Sequence, residues 1–297
     1  MKILYVGVHT NEKWRTEYWL SNAFIALGHK VIKYDYKSNR KKIKSWKAIG
    51  REIFELEKDT CPDIVFLQRG KKMSTKVLNQ LTKPIFFWST EPLNLKTDVD
   101  KLLNSNIYKW VFVHSYSCLD RIKIEFSHLF SKCSVMHNAC PSEFICLKEE
   151  KTIFAIFNRN LSNRRRKWLQ PSLEKIELIQ GKFGKDYFND LQKSIISINI
   201  HYSDKNIDDF ETGIFEGMAS GCLIISEKLN PQTLLDLEMT NVIIQVDSPK
   251  ELNNKLELLK ANPHLITDYM KKTKKVIQQN TWDQRANAFM NKFNEFI

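Results

Sequence analysis

Short apolar runs alternate with longer amphipathic or polar stretches along most of this chain. Residues 2–8 (KILYVGV) read as a buried strand. Residues 14–27 follow with Trp19, Leu20, Ala23, Phe24 and Leu27 spaced three to four apart, the spacing of one helix face. Gly28 suits the left-handed residue that closes such a helix, and residues 31–34 restart a strand. Strand, helix, glycine, strand is the beginning of a parallel βαβ unit with a right-handed crossover. Further strands are predicted at 64–67, 85–88, 110–113 and 134–136, and a second series at 153–157, 195–200, 222–226 and 241–246. Runs this uniformly apolar suit strands covered on both faces. The simplest account is two successive α/β, Rossmann-like units. Their junction is expected within 142–151, where Pro141 and the charged run Lys148-Glu149-Glu150-Lys151 break the pattern, with the boundary near residue 148. The first domain then covers 1–148 and the second 149–275. The tail from 263 to 297 reads as helix, and Trp282, Ala286, Phe289, Met290 and Phe293 form a stripe that needs a surface to cover.

Composition narrows the class of protein. The chain has 297 residues, and no apolar run approaches the ~20 that a membrane-spanning helix requires, so a membrane-spanning protein is not expected. The amino end enters its strand without the longer apolar core of a signal peptide, which leads to the expectation of a cytoplasmic protein. Six scattered cysteines without CxxC pairs are expected as buried thiols, and with no Cys/His cluster there is no expectation of zinc. A formal charge of +12 favours anionic partners: phosphates, nucleic acid or an anionic lipid surface. The strongest local concentration, residues 37–44 (KSNRKKIK), reads as a solvated loop or helix face.

The chemistry concentrates in 197–226, where SINIHYSD leads through a polar loop to ETGIFEGMASG and then CLIIS. This is a strand, a loop, a short helix ended by Gly221, and a strand. Ligands of open α/β sheets bind beyond the carboxyl ends of the strands, which puts His201, Tyr202 and the following loop at the mouth of a crevice. A helix beginning near Thr212 offers unpaired amides and the positive end of its dipole, and Gly213 allows close approach of an anion. Glu216, about one turn on, is placed either to accept hydrogen bonds from vicinal sugar hydroxyls or merely to offset the dipole. Upstream, the strand 153–157 runs into Asn158, Arg159 and the cluster Arg164, Arg165, Arg166. Guanidinium forks match phosphate oxygens, and helical geometry turns one or two of these three arginines inward and the others to solvent.

Residues 158–169, 187–202 and above all 210–222 (FETGIFEGMASGC) resemble the C-terminal half of GT-B glycosyltransferases, in particular the CgeB-like branch related to glycosyltransferase family 4. The N-terminal half resembles them in architecture, through Gly7 at the first strand end, the turn ALGHKV and residues 88–92. The resemblance implies two Rossmann-like domains facing a central cleft, with residues 276–297 crossing back to the first domain. It gives Glu216 the ribose of a nucleoside-diphosphate-sugar donor and the backbone of Thr212, Gly213, Ile214 and Phe215 the diphosphate. Arg164 or Arg165 completes the charge clamp. Two positions depart from the pattern. Family 4 enzymes carry a second glutamate eight residues before the first, where this chain has Asp208, and the CgeB-like branch often has an arginine near the position of Gly213.

Glycosyl transfer builds negative charge on the departing diphosphate. In this fold a helix N-terminus and basic side chains answer it, so no metal and no cofactor beyond the donor is expected. The resemblance implies retention of configuration. An inverting enzyme would need a base, for which His9, Glu91 and His114 stand at predicted strand ends. The expected partners are a nucleotide sugar and an acceptor that is a glycan, glycolipid or protein, with basic patches suited to peripheral attachment at an anionic membrane face. Nucleic acid is not expected. The competing readings are a basic nucleic-acid-binding protein using residues 37–47 and 164–167, and a GT-B scaffold that has lost catalysis and serves as an interaction module.

Overall fold

A computed structural model of the chain describes residues 1–10, 15–90, 99–145, 150–202, 204 and 210–297. It divides into two units, Met1–His137 with Asp283–Ile297, and Asn138–Trp282.

The first unit runs β1 (Lys2–Gly7), α1 (Thr16–Ala26), β2 (Lys30–Asp35), α2 (Tyr36–Ile43), α3 (Trp46–Thr60), β3 (Ile64–Gln68), α4 (Thr75–Leu78), β4 (Ile85–Ser89), α5 (Asp100–Leu103), β5 (Tyr108–Val113), α6 (Tyr116–Glu125), α7 (Ser127–Phe130) and β6 (Cys133–Val135). The described strands form one sheet in the order β2-β1-β3-β4-β5-β6, with every pairing parallel. Alternate residues serve opposite faces. Leu4, Val6, Val65, Leu67, Phe87, Val111 and Val113 face α3, α4 and α6, while Tyr5, Phe66, Phe86, Trp88 and Phe112 supply the aromatic face. Helix α1 covers part of that aromatic face through Phe24, 5.9 Å from Phe66. The basic stretch is the helix α2, started by the Asp35 carboxylate, which accepts from the amides of Lys37 and Ser38 at 3.0 Å.

The second unit runs β7 (Ile153–Phe157), α8 (Asn163–Leu169), β8 (Glu177–Leu178), α9 (Lys185–Gln192), β9 (Ser194–Asn199), α10 (Thr212–Ala219), β10 (Leu223–Glu227), α11 (Pro231–Asp236), β11 (Ile243–Val246), α12 (Pro249–Ala261) and α13 (Pro263–Ile277). Its described strands are again parallel, in the order β11-β10-β9-β7-β8. Ile156, Ile224 and Ile243 pack with α10 and α13 on one face, and Ala155, Phe157, Ile196, Ile198 and Ile225 with α12 on the other. Gly221, at φ +74°, closes α10 as its place in the sequence requires.

The tail is two helices and not one. After α13 the chain turns through Gln279 and Asn280 before α14 (Trp282–Asn294). Cys140 donates its amide to Asn280 O at 3.1 Å and accepts from the Trp282 amide at 2.9 Å, so residues 138–145 and 276–282 are tied into the second unit. The division therefore falls at 137/138 and 282/283, not at 148 and 276. Helix α14 belongs to the first unit, where Phe289 and Phe293 complete the aromatic face. Of the five described cysteines, all free, Cys61 is exposed, contrary to the expectation of burial, because it is the left-handed cap of α3 (φ +43°). No described helix is long and apolar enough to cross a membrane.

Candidate functional site

The carboxyl ends of the adjacent strands β7 and β9 bring Asn158, Arg159, Asn199 and His201 beside the start of α10. The side chain of Arg159 is nine-tenths buried. Its Nη1 donates to Asn199 Oδ1 and to Glu211 Oε2 (3.3 Å), while Nε and Nη2 have no hydrogen-bond partner among the described residues. Asn199 is fixed in turn by donating from Nδ2 to Ser226 Oγ at 2.8 Å, and Gln180 Nε2 donates to the Arg159 carbonyl at 2.6 Å. The guanidinium lies flat on the first turn of α10. A Cβ at Gly213 would stand 2.5–2.6 Å from Arg159 Nη2, Cζ and Nε, closer than side chains pack. Gly213 thus makes room for an arginine that arrives from another strand.

Glu216 follows on the same helix, with Tyr187 of α9 and Arg159 as electrostatic neighbours. Burial raises its carboxyl above the ordinary glutamate range, and Tyr187 and Arg159 pull it back towards ionisation. Burial likewise lifts the Tyr187 phenol well above its usual range, so it stays a neutral hydroxyl.

The other arginines are engaged. Arg164 pairs with Glu227 and Asp204 and donates from Nη1 to His201 O at 3.0 Å. Arg165 donates to Ile200 O, Asn160 O and Glu211, and Arg166 is exposed. The inward-facing pair is therefore Arg164 and Arg165, but each spends its donors on the protein, whereas Arg159 keeps two in reserve. His201 is fully buried, with Nε2 2.8 Å from Lys228 O. Since a carbonyl only accepts, Nε2 carries a proton, and Nδ1 has no partner among the described residues. Tyr202 is exposed and lies against Arg165. Asn158 is buried, and its Nδ2 has no partner among the described residues. The side chains of Ile214 and Phe215 belong to the core, leaving only their main chain for a ligand, and the Ile214 amide already donates to Glu211 O at 3.0 Å. Asp208 and Glu91 lie outside the described residues.

Sequence reasoning missed Asn199, Glu211, Glu227 and Tyr187. A signal existed for the first: an amide side chain in the run Ile195 to Ile200, apolar apart from it and Ser197, must satisfy its hydrogen bonds within the protein. In the first unit His9 is held edge-on to Tyr5, its Nε2 3.0 Å from Tyr5 O, and burial lowers its pKa, favouring the neutral ring. His114 is buried with Nδ1 3.7 Å from Cys118 Sγ. Among the described residues no three His, Cys, Asp or Glu side chains converge as a metal-binding group.

Residues 154–291 match the family model described as "Glycosyl transferase-like", a span that covers most of the second unit and runs on into α14. No curated protein sequence matches the chain. Among solved structures it is similar to a glycosyltransferase from Rickettsia africae ESF-5 (15% identity, 99% of this chain and 98% of that one, TM-score 0.70). It is also similar to an alpha-glucosyltransferase in complex with UDP-glucose and DNA containing an abasic site (11%, 99% and 98%, 0.63). A third is the DNA-modifying enzyme beta-glucosyltransferase, solved with and without uridine diphosphoglucose (13%, 99% and 100%, 0.60). These likenesses establish the fold as GT-B, with two Rossmann-like units.

Proposed function

We propose that the second unit binds a nucleoside-diphosphate sugar and that the chain transfers its glycosyl group to an acceptor met by the first unit. One observation carries this reading: a buried guanidinium with two unspent donors lies on the first turn of α10, and a carboxylate follows one turn on. Leaving such donors unpaired in the protein interior is costly unless a ligand takes them up. A diphosphate fits, because its oxygens accept from the Arg159 Nε/Nη2 pair and from the leading amides of α10 at Thr212 and Gly213. Glu216 then accepts from the ribose hydroxyls, and His201 and Tyr202 border the same strand end. As the glycosyl bond breaks, charge grows on the diphosphate, and this preorganised cationic site stabilises it without a divalent metal. Within the GT-B fold the motif 210–222 favours the CgeB-like branch and retention. Should transfer invert, His9 is the better base than His114, because its Nδ1 keeps a lone pair when Nε2–H donates to Tyr5 O. Acceptors of glycan, glycolipid or protein type suit the reading, with the exposed lysines of α2 against an anionic membrane face.

A second reading, a nucleic-acid acceptor, is favoured by one observation. Lys37, Lys41, Lys42 and Lys44 are exposed on and after α2, and two of the structural neighbours are described with DNA or as DNA-modifying. Duplex binding whose affinity falls steeply with salt would select it.

A thermal-shift screen of UDP and GDP tests the leading reading. At a hundredfold excess over Kd, a ligand of the folded state adds about 2.7 kcal/mol, which moves a melting transition by several degrees. No shift with either nucleotide at millimolar concentration would remove the donor site. Gly213→Ala is a sharper probe. Its φ is not left-handed, so the helix accepts alanine and gains up to about 1 kcal/mol of propensity. The new Cβ must displace the Arg159 guanidinium. The expected result is nucleoside-diphosphate affinity reduced about tenfold, read by calorimetric titration, with the helix-propensity gain set against the disturbed Arg159 bonds to Asn199 and Glu211.

A further inference from the structure

Glu211 stands immediately before α10, where carboxylates ordinarily turn back to cap the first amides, yet its side chain makes no capping bond. It turns to two arginines. Arg165 Nη2 donates to both of its oxygens at 2.9 Å, and Arg159 Nη1 to Oε2 at 3.3 Å. Arg165 is itself immobile, because Nε donates to Ile200 O (2.7 Å), Nη1 to Asn160 O (2.9 Å), and the side chain is only 4% exposed. Glu211 cannot swing away without leaving a buried cation unpaired. It is a fixed point against which Arg159 is set.

The consequence lies in which Arg159 nitrogens are spent. Asn199 and Glu211 both take Nη1, and the unpartnered atoms are Nε and Nη2. In a guanidinium the Nε–H bond and one Nη2–H bond run side by side, so what remains is a complete two-pronged fork of the kind that matches a phosphate. The stacking on Gly213 fixes the plane of that fork.

We propose that Glu211 is a positioning residue: braced by Arg165, it holds Arg159 by its Nη1 edge so that the Nε/Nη2 fork is presented to an anion at the start of α10. It thereby sets the preference of the site for phosphorylated over unphosphorylated ligands. The inference rests on the donor-site reading above and names a residue which that reading did not use.

The test is calorimetric titration of inorganic pyrophosphate, of the better-binding of UDP and GDP, and of its parent nucleoside into the whole chain. Wild type, Glu211→Gln and Glu211→Ala are compared, and Glu211→Gln, nearly isosteric, keeps one acceptor for Arg165 and guards against misfolding. The expected result is pyrophosphate and nucleotide affinity lowered about tenfold in Glu211→Gln, and further in Glu211→Ala, equivalent to about 1.4 kcal/mol or more of lost orientation. Nucleoside affinity should stay within twofold, and the donor KM should rise with kcat held. Two results overturn the proposal. Pyrophosphate binding that is unchanged or tighter would make Glu211 only a repelling charge, and equal weakening of nucleotide and nucleoside would make it only a support of the fold. If wild type binds pyrophosphate but gains nothing from the nucleoside, the donor reading fails while the comparison of variants still decides the role of Glu211. Binding of neither defeats both.

Discussion

Glu216→Gln is expected to weaken nucleotide-sugar binding by about ten- to a hundredfold, the equivalent of one or two charge-assisted hydrogen bonds at about 1.5–3 kcal/mol each. The same substitution should raise the melting temperature of the ligand-free protein at pH above the raised Glu216 value. Both effects have one cause. Burial raises the Glu216 carboxyl above its ordinary range, so folding favours its protonated form. The stability linked to this group is complete below the ordinary glutamate value and is lost as pH rises through the raised value of the folded state. Above that raised value the wild-type protein carries an ionised carboxylate that burial disfavours, a penalty which Tyr187 and Arg159 oppose. Glutamine removes that charge. The stability gain should shrink as the solution is acidified, because wild-type Glu216 is then neutral too. Binding runs the other way, since the carboxylate accepts two hydroxyl bonds where the amide offers one acceptor and an opposing donor. Wild-type donor affinity should fall as pH drops through the raised value, and the variant should lose that component of the pH profile. Melting curves and titrations from pH 4.5 to 8 check both limbs. Equal donor affinity in the two proteins would take the ribose away from Glu216.

Much of this site was legible in the sequence, for a physical reason. Strands buried on both faces must be apolar almost throughout, so 153–157 and 222–226 announce themselves, and the residue types just past their carboxyl ends announce the site. Asn158, Arg159, His201 and the 212–216 helix were placed in this way. What one dimension hides is which partner each charge finds. Three consecutive arginines at 164–166 look like the anion clamp. The first two instead close on Glu227 and Glu211, acids 63 and 46 residues further along. The donor pair left unspent belongs to Arg159, whose fit depends on the missing side chain of Gly213 across the sheet. The division of the chain was misplaced for a related reason. The charged run at 148–151 marks a break in pattern, but the pairing of Cys140 with Asn280 and Trp282 determines the unit to which residues 138–145 belong. The helix over 36–43 was equally unreadable as an element, because its apolar contribution is small and the Asp35 cap supplies its start.

The largest stability effect is expected in the first unit, at Phe289. Its ring lies 4.7 Å from Phe112, 5.1 Å from Phe66 and 5.1 Å from Trp88, fully buried on the aromatic face of the first sheet. That face is built by strands from the first half of the chain, but α1 alone does not cover it. Its burial waits for residues that arrive only after the whole second unit. Phe289→Ala should therefore cost about 3–5 kcal/mol, transfer plus cavity, against the roughly 5–15 kcal/mol that a domain of this kind has to spare. Phe293, 4.5 Å from Phe86, should cost a similar amount, and the double substitution less than the sum, because the two rings are 6.1 Å apart and share Phe66 and Phe112 as neighbours. Urea unfolding followed by tryptophan fluorescence reads the change, since Trp88 loses a ring from its immediate surroundings. Nucleotide binding gives the control. Arg159, Gly213 and Glu216 belong to the second unit and this cluster to the first, so under conditions where the variant stays folded its affinity for UDP or GDP should equal that of wild type. A loss of affinity matching the loss of stability would mean that the donor site depends on the packing of α14, and the chain would then function as one cooperative body and not as two units with separate tasks.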